Sequence, residues 1–257
     1  YKGLGSHEDE FNEHMFENFD QKTLTFILDN NAIKNIEIFY GKTKETRKLH
    51  RQELCKPIRE FNNEELILYK NRKINISTFL EIYVREFQFD NIKRKLLKLM
   101  DGQNNVGGKL LGSYRKIFTK DDQEYKVANI GAKAAEISAY HHGEMSIYEA
   151  ILHSGQYFVG KKYFPPLIAR GQWGTRTVGG KDHAQVRYIT GMFNKKLFDA
   201  LFPTDDLPLL EHEIIENQIA EPKYFVPILP LTVLENYKTV AHAWKIETVS
   251  YTHLRVE

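Results

Sequence analysis

Gly171-Gln172-Trp173-Gly174-Thr175-Arg176-Thr177-Val178-Gly179-Gly180-Lys181-Asp182-His183-Ala184-Gln185-Val186-Arg187-Tyr188 carries four glycines and three strong cations and ends in a phenol. Glycine at this density reads as a loop, and Pro165-Pro166 breaks the chain just before it. A tyrosine beside an arginine, behind a basic loop, suits nucleophilic attack on a phosphodiester. The phenol supplies the nucleophile, and the cations offset charge as it builds on phosphorus. Upstream, Ala139-Tyr140-His141-His142-Gly143-Glu144 adds two imidazoles.

Working outward, residues 127–138 are alanine-rich and read as a helix, and 146–155 as another. Residues 188–202 also read as helical, closed by Pro203. Residues 224–234 read as extended, because Pro227 and Pro230 do not fit a helix interior. Toward the N-terminus, Phe11, Met15, Phe16 and Phe19 fall at helical spacing, and 23–28 reads as a short strand. Residues 31–72 are polar and read as an irregular connector. From Ser77, a plausible cap, Phe79, Leu80, Tyr83 and Val84 keep a helical rhythm, and 92–100 is a further candidate helix. Helices followed by a glycine-rich hairpin give an α+β reading. It is a helix-turn-helix variant with a wing, in which 127–138 is the recognition helix.

In 257 residues there is room for one large domain or two smaller ones. Apolar content of 42% supports a core, and charged content of 27% argues against a membrane protein. No apolar run approaches the roughly 20 residues of a spanning helix. The single cysteine, Cys55, has no internal partner, which favours a reducing compartment. Net charge is only +2, but it is unevenly spread. Between Lys93 and Lys133 ten lysines and arginines face four acids, whereas residues 205–221 hold six acids and no lysine or arginine. A basic stretch between acidic flanks suits a phosphate-backbone surface, and an ordinary basic helix face is the plainer alternative.

The order Ala139-Tyr140-His141-His142-Gly143-Glu144, then Gly174-Thr175-Arg176, Gly179-Gly180-Lys181-Asp182 and Arg187-Tyr188, closely resembles the breakage-reunion region of type IIA DNA topoisomerases. The match is nearest to the eukaryotic and large-DNA-virus branch. Tyr1-Lys2-Gly3-Leu4-Gly5 is similar to the sequence that closes the family's TOPRIM domain. Asn91-Ile92-Lys93-Arg94 and Asp101-Gly102 resemble its N-I-R and D-G elements. Residues 103–108 depart from the pattern: Asn104 stands where the family has lysine and Gly108 where it has arginine. Lys109 remains, and Arg115 with Lys116 could compensate. Glu221-Pro222 and Val226-Pro227-Ile228-Leu229-Pro230 also resemble family motifs. The 13-residue step from Leu231 to Trp244 places Val240 at the family's DNA-wedging isoleucine.

The resemblance implies a fragment: 1–72 as the end of TOPRIM and a connector, 73–203 as a winged-helix cleavage domain, 204–249 as the start of a tower domain, and 250–257 as a tail that need not be native. It makes Tyr188, Arg187, His142 and Arg94 catalytic, and Lys109, Arg115, Lys126, His141, Arg176, Lys181 and Val240 DNA-binding. Magnesium, with ligands upstream, and ATP, bound elsewhere in the full enzyme, are the implied cofactors; no metal ligand is expected in this chain. Double-stranded DNA and a second copy of the chain are the implied partners, with no membrane. The implied setting is intracellular, in a nucleus or, for a virus, the host cytoplasm. The fragment alone is expected to be inactive. Two other readings compete: a winged-helix DNA-binding protein without cleavage, and a metal-dependent hydrolase using His141, His142 and Glu144.

Overall fold

A computed structural model describes residues 8–215 and 218–248. The turn at residues 1–5 and the 250–257 tail lie outside the described residues. The chain divides into two compact units between Asn91 and Ile92, not at the expected 72/73 step. Among the described residues, no helix is long and apolar enough to cross a membrane.

The first unit opens with α1 (Asp9–Glu17), α2 (Phe19–Lys22) and β1 (Thr25–Ile27). The supposed connector then forms three helices, α3 (Ala32–Tyr40), α4 (Lys44–Leu54) and α5 (Asn63–Lys70). Their caps explain where they start. Thr43 accepts from the Thr46 amide, and Asn62 and Glu65 form a reciprocal capping box. The helices escape a hydrophobicity reading because their buried stripes are partly polar: Asn35 on α3, and Thr46 and His50 on α4. His50 is satisfied by Gln88 at 2.8 Å. After β2 (Lys73–Asn75), which pairs in parallel with β1, α6 (Ile76–Phe79) passes through a π-helical turn at Leu80–Val84 into α7 (Arg85–Lys95). The cap position is Asn75 rather than Ser77, which is buried and donates its amide to Asp29. The candidate helix at 92–100 is therefore only the end of α7 followed by a turn.

The second unit contains α8 (Asn105–Ile117), β3 (Glu124–Lys126), α9 (Val127–Ile137), α10 (Glu144–Gly155), β4 (Leu167–Arg170), β5 (Thr190–Phe193) and α11 (Lys195–Leu201). The hairpin β6 (His212–Ile215) with β7 (Gln218–Pro222), a short α12 (Leu231–Leu234), and the hairpin β8 (Tyr237–Ala241) with β9 (Trp244–Thr248) complete it. Strands β3-β5-β4 form one antiparallel sheet. Two expectations change here. Residues 188–202 are strand, Asn194 cap and helix rather than one helix, because β5 is the central strand and buries Gly191 and Phe193 in alternation. Residues 224–234 are extended only as far as Pro230, which serves as the cap residue of α12. α9 is the middle helix of the unit, flanked by α8 and α10, with Val127, Ile130, Gly131 and Ala134 buried. The core gathers Tyr114, Ile130, Ile151, Leu167, Trp173, Ile189 and Phe193.

In the first unit Arg59 binds Glu65 through two 2.8 Å bonds, and Thr78 adds a third to the same carboxylate. The Arg59 hydrogen bond, working against burial and helped by Thr78 and the Asn62 amide, holds Glu65 down at about 2 from 4.5. The folded value lies below the unfolded one, so the contribution is complete above about 4.5 and is lost as pH falls through about 2. Urea unfolding measured from pH 6 to pH 2 is expected to show an acid limb that flattens in Glu65→Gln. That variant loses roughly 2 kcal/mol or more at neutral pH and little at pH 2.

Candidate active site

Tyr188 stands one residue before β5, where side chains alternate. Ile189 points into the core, and Tyr188 is 69% exposed. Its backbone is fastened on both sides. The Val127 amide donates to the Ile189 carbonyl at 3.0 Å, and the Ala128 amide to the Val186 carbonyl at 3.2 Å. These are the first two amides of α9, which have no partner inside the helix. The Tyr188 amide closes a turn onto the Gln185 carbonyl at 2.9 Å. The Arg187 guanidinium lies 5.0 Å from the centre of the Tyr188 ring. The phenol oxygen has no hydrogen bond to any described residue and is free to meet a ligand.

The glycine-rich loop is a folded object, not a slack one. Gln156, buried at the end of α10, donates through Nε2 to the carbonyls of Trp173 at 2.7 Å and Gly180 at 2.9 Å. Trp173 is buried, and its indole N–H lies 3.0 Å from the carbonyls of both Arg170 and Thr190. Asp182 accepts from the Thr175 amide and hydroxyl, each at 2.7 Å, and these bonds hold its carboxyl below the usual range. Gly174 and Gly180 both have positive φ, and a Cβ on Gly174 would come within 2.6 Å of the Gly180 backbone. The result is a closed loop with Arg176 and Lys181 on its exposed surface. Among the described residues neither they nor Arg187 is in an ion pair. Lys126 is exposed beside them in register, because β3 pairs Lys126 with Thr190.

The other candidate residues are more scattered. His141 and His142 are exposed in the turn between α9 and α10, after Ala139 in the left-handed region at φ 46°. His142 packs edge-on to Tyr140 at 5.3 Å. They follow the C-terminal end of α9, while its N-terminal end is tied to Tyr188, about 16 Å of helix away. Arg94 is exposed in the last turn of α7. Arg115 lies over the Phe198 ring and reaches Thr204 at 3.0 Å and Asp199 at 3.5 Å. Val240 is 60% exposed on β8, opposite Lys245 in the hairpin. Lys109 is not at the surface: it is 8% exposed and pairs with Glu221 at 2.9 Å. Asn104 caps α8 by accepting from the Gly107 amide. Among the described residues no three His, Cys, Asp or Glu side chains gather as a metal site, so His141, His142 and Glu144 do not form one. Sequence reasoning missed Gln156 and Asp182, since nothing in either residue announces the backbone groups it binds.

Residues 94–256 match the family model for DNA gyrase/topoisomerase IV. The chain belongs to the type II DNA topoisomerases. It is 33% identical over 252 residues to DNA topoisomerase 2 of African swine fever virus, covering 96% of this chain and 21% of that protein. It is 32% identical over 263 residues to DNA topoisomerase 2 of Bombyx mori, covering 98% of this chain and 16% of that protein. The chain thus spans about a fifth or less of the length of these relatives. Its fold matches the Plasmodium falciparum topoisomerase II DNA-binding, cleavage and re-ligation domain with a TM-score of 0.74 and 25% identity, over 98% of this chain and 34% of that one. The family-model match contains Arg94, both histidines, the glycine-rich loop and Tyr188.

Gln156 is the residue on which the loop geometry turns. Gln156→Ala removes both donated bonds and leaves buried carbonyls unmet, at a cost of roughly 2 kcal/mol. Urea unfolding should show that loss. Amide exchange should show faster opening confined to residues 173–182 under native conditions.

Proposed function

We propose that Tyr188 is the nucleophile of a reversible DNA-cleavage reaction. The observation that carries this reading is the exposed, unbonded phenol beside Arg187, on a backbone clamped by the first turn of α9. The phenol loses its proton and its oxygen attacks a backbone phosphorus in line. The bond from phosphorus to the 3′ oxygen breaks, that oxygen takes up a proton, and the 5′ phosphate stays esterified to Tyr188. The exchange of one phosphodiester for another lets the free 3′ hydroxyl reverse it. Arg187 is placed to bind a non-bridging oxygen, and His142 and Arg94 offer further donors.

The 16 Å of α9 between the Tyr188 anchor and the histidine turn supports a site completed by a second copy of the chain. In this reading the enzyme is a homodimer that cuts both strands of a duplex, in a nucleus or a host cytoplasm. The expected wing is the 171–187 loop with the β3-β5-β4 sheet. α10 is better placed than α9 to meet DNA. The first amides of α9 are spent on the Tyr188 segment, whereas α10 begins at Gly143 without a side-chain cap and exposes Glu144, Met145 and Ser146. The N-terminal part is read as the end of TOPRIM and residues 204–249 as the start of a tower. Magnesium and ATP are implied by the family. Since no metal-ligand group occurs among the described residues, this chain's contribution is its phenol, arginines and histidine, with ligands for both cofactors supplied by sequence outside it.

In the full-length enzyme Tyr188→Phe should abolish the protein–DNA adduct trapped by denaturant while leaving noncovalent binding nearly unchanged. A persistent adduct rejects the nucleophile and favours a DNA-binding module without cleavage. The 257-residue chain alone should bind duplex DNA without relaxing supercoils. Its affinity should fall steeply with salt, and Arg176→Ala or Lys181→Ala should each make the log–log slope shallower by about one. Slopes equal to wild type would remove those two residues from the interface.

A further inference from the structure

We propose that Lys109 is a positioning residue that sets the His141–His142 turn and does not touch DNA. The proposal rests on the reading of His142 as part of the cleavage site. Lys109 lies on the buried face of α8. Its ammonium donates at 2.7 Å to the carbonyl of Ser138 and pairs at 2.9 Å with Glu221. Ser138 is the residue that closes α9. Its own hydroxyl turns back to the Ala134 carbonyl at 2.6 Å, and the next residue, Ala139, is left-handed. A cation at this point meets the negative end of the helix dipole and occupies a carbonyl the helix cannot satisfy. Three residues beyond Ser138 the chain reaches His141.

The other half of the pair is equally committed. Glu221 is 7% exposed on β7, and its second carboxylate oxygen has no hydrogen-bond partner among the described residues. Its Cβ sits where a side chain on Gly112 would be, 2.9 Å from the ideal Cβ position, so Gly112 allows β7 to lie against α8. One ammonium therefore joins α8, the end of α9 and β7. Moving it shifts the point where the chain leaves α9 toward His142. A buried cation with both partners in place has no path to a phosphate.

The test uses Lys109→Met and Lys109→Arg, with Lys109→Met/Glu221→Met as a variant that leaves no buried unpaired charge and so protects the fold. In the 257-residue chain, Lys109→Met and the double variant should move the imidazole NMR resonances of both His141 and His142 while the log–log salt slope of duplex binding stays at the wild-type value. In the full-length enzyme, adduct yield should fall about ten-fold or more, and Lys109→Arg should restore most of it. A slope shallower by about one, with the histidine resonances unmoved, would make Lys109 a phosphate ligand and overturn the proposal. Unmoved resonances in both variants overturn it as well. Tyr188→Phe run in parallel separates the two ideas: an adduct that survives it rejects the nucleophile, while the resonance and slope results still decide the role of Lys109.

Discussion

Two backbone hydrogen bonds at the start of α9 organise the second unit. A helix begins with amides that it cannot satisfy internally, and burying them unpaired costs free energy. Here the Val127 and Ala128 amides are met by carbonyls on either side of Arg187 and Tyr188. This ties the helix to the strand that carries the phenol, and it leaves the side chain free because the backbone does the holding. The β3-β5-β4 sheet then has little freedom in register, since β3 runs directly into α9. The glycine-rich loop joins the same arrangement through Gln156 and Trp173, which tie it to the end of α10 and to both sides of the sheet.

The parts legible in the sequence were those whose chemistry is local. α10 shows a helical period, the loop shows its glycines, and Arg187 and Tyr188 sit together in the chain. The parts that were not legible depend on partners far away in sequence. α4 hides because its buried stripe is Thr46, His50 and Leu54, which satisfy themselves by capping and by Gln88 rather than by hydrophobicity. α8 hides because it begins Asn-Val-Gly-Gly-Lys, poor helix formers that are rescued by the Asn104 cap and by packing. β5 is short and runs through Asn194 into α11, so its alternation merges with the helical pattern that follows.

Lys109 shows the same limit for the site. A lysine in a basic stretch defaults to the surface, and only the placement of Glu221, more than a hundred residues later, turns it inward. The departure of residues 103–108 from the family pattern also takes on a different meaning. Asn104 is a helix cap, so a lysine placed there adds a charge and at the same time removes the Gly107 contact that starts α8.

The segment from Glu221 to Thr248 is attached to the rest of the second unit largely by buried carboxylates. Asp101, fully buried, accepts the Phe225 amide at 2.8 Å, and burial pushes its carboxyl up. Glu221 holds Lys109. Glu235, also buried, holds Lys162 at 2.5 Å, the Tyr237 hydroxyl at 2.6 Å and the Phe164 amide at 3.2 Å. Such groups are a poor source of net stability, because desolvation offsets most of their attraction, but they tolerate only one geometry. An apolar seam could slide by part of a side chain, whereas these pairs break if it does. The β8–β9 hairpin, which exposes Val240, rises directly from the Glu235–Tyr237 cluster. In this chain bulky and polar residues stand where the family has glycines near the wedge, and the rigidity of the hairpin base comes from that cluster. A protein that must open and reseal a duplex without losing its ends needs its DNA-contacting parts held in register through the reaction, and buried ionic pairs supply register more than they supply stability.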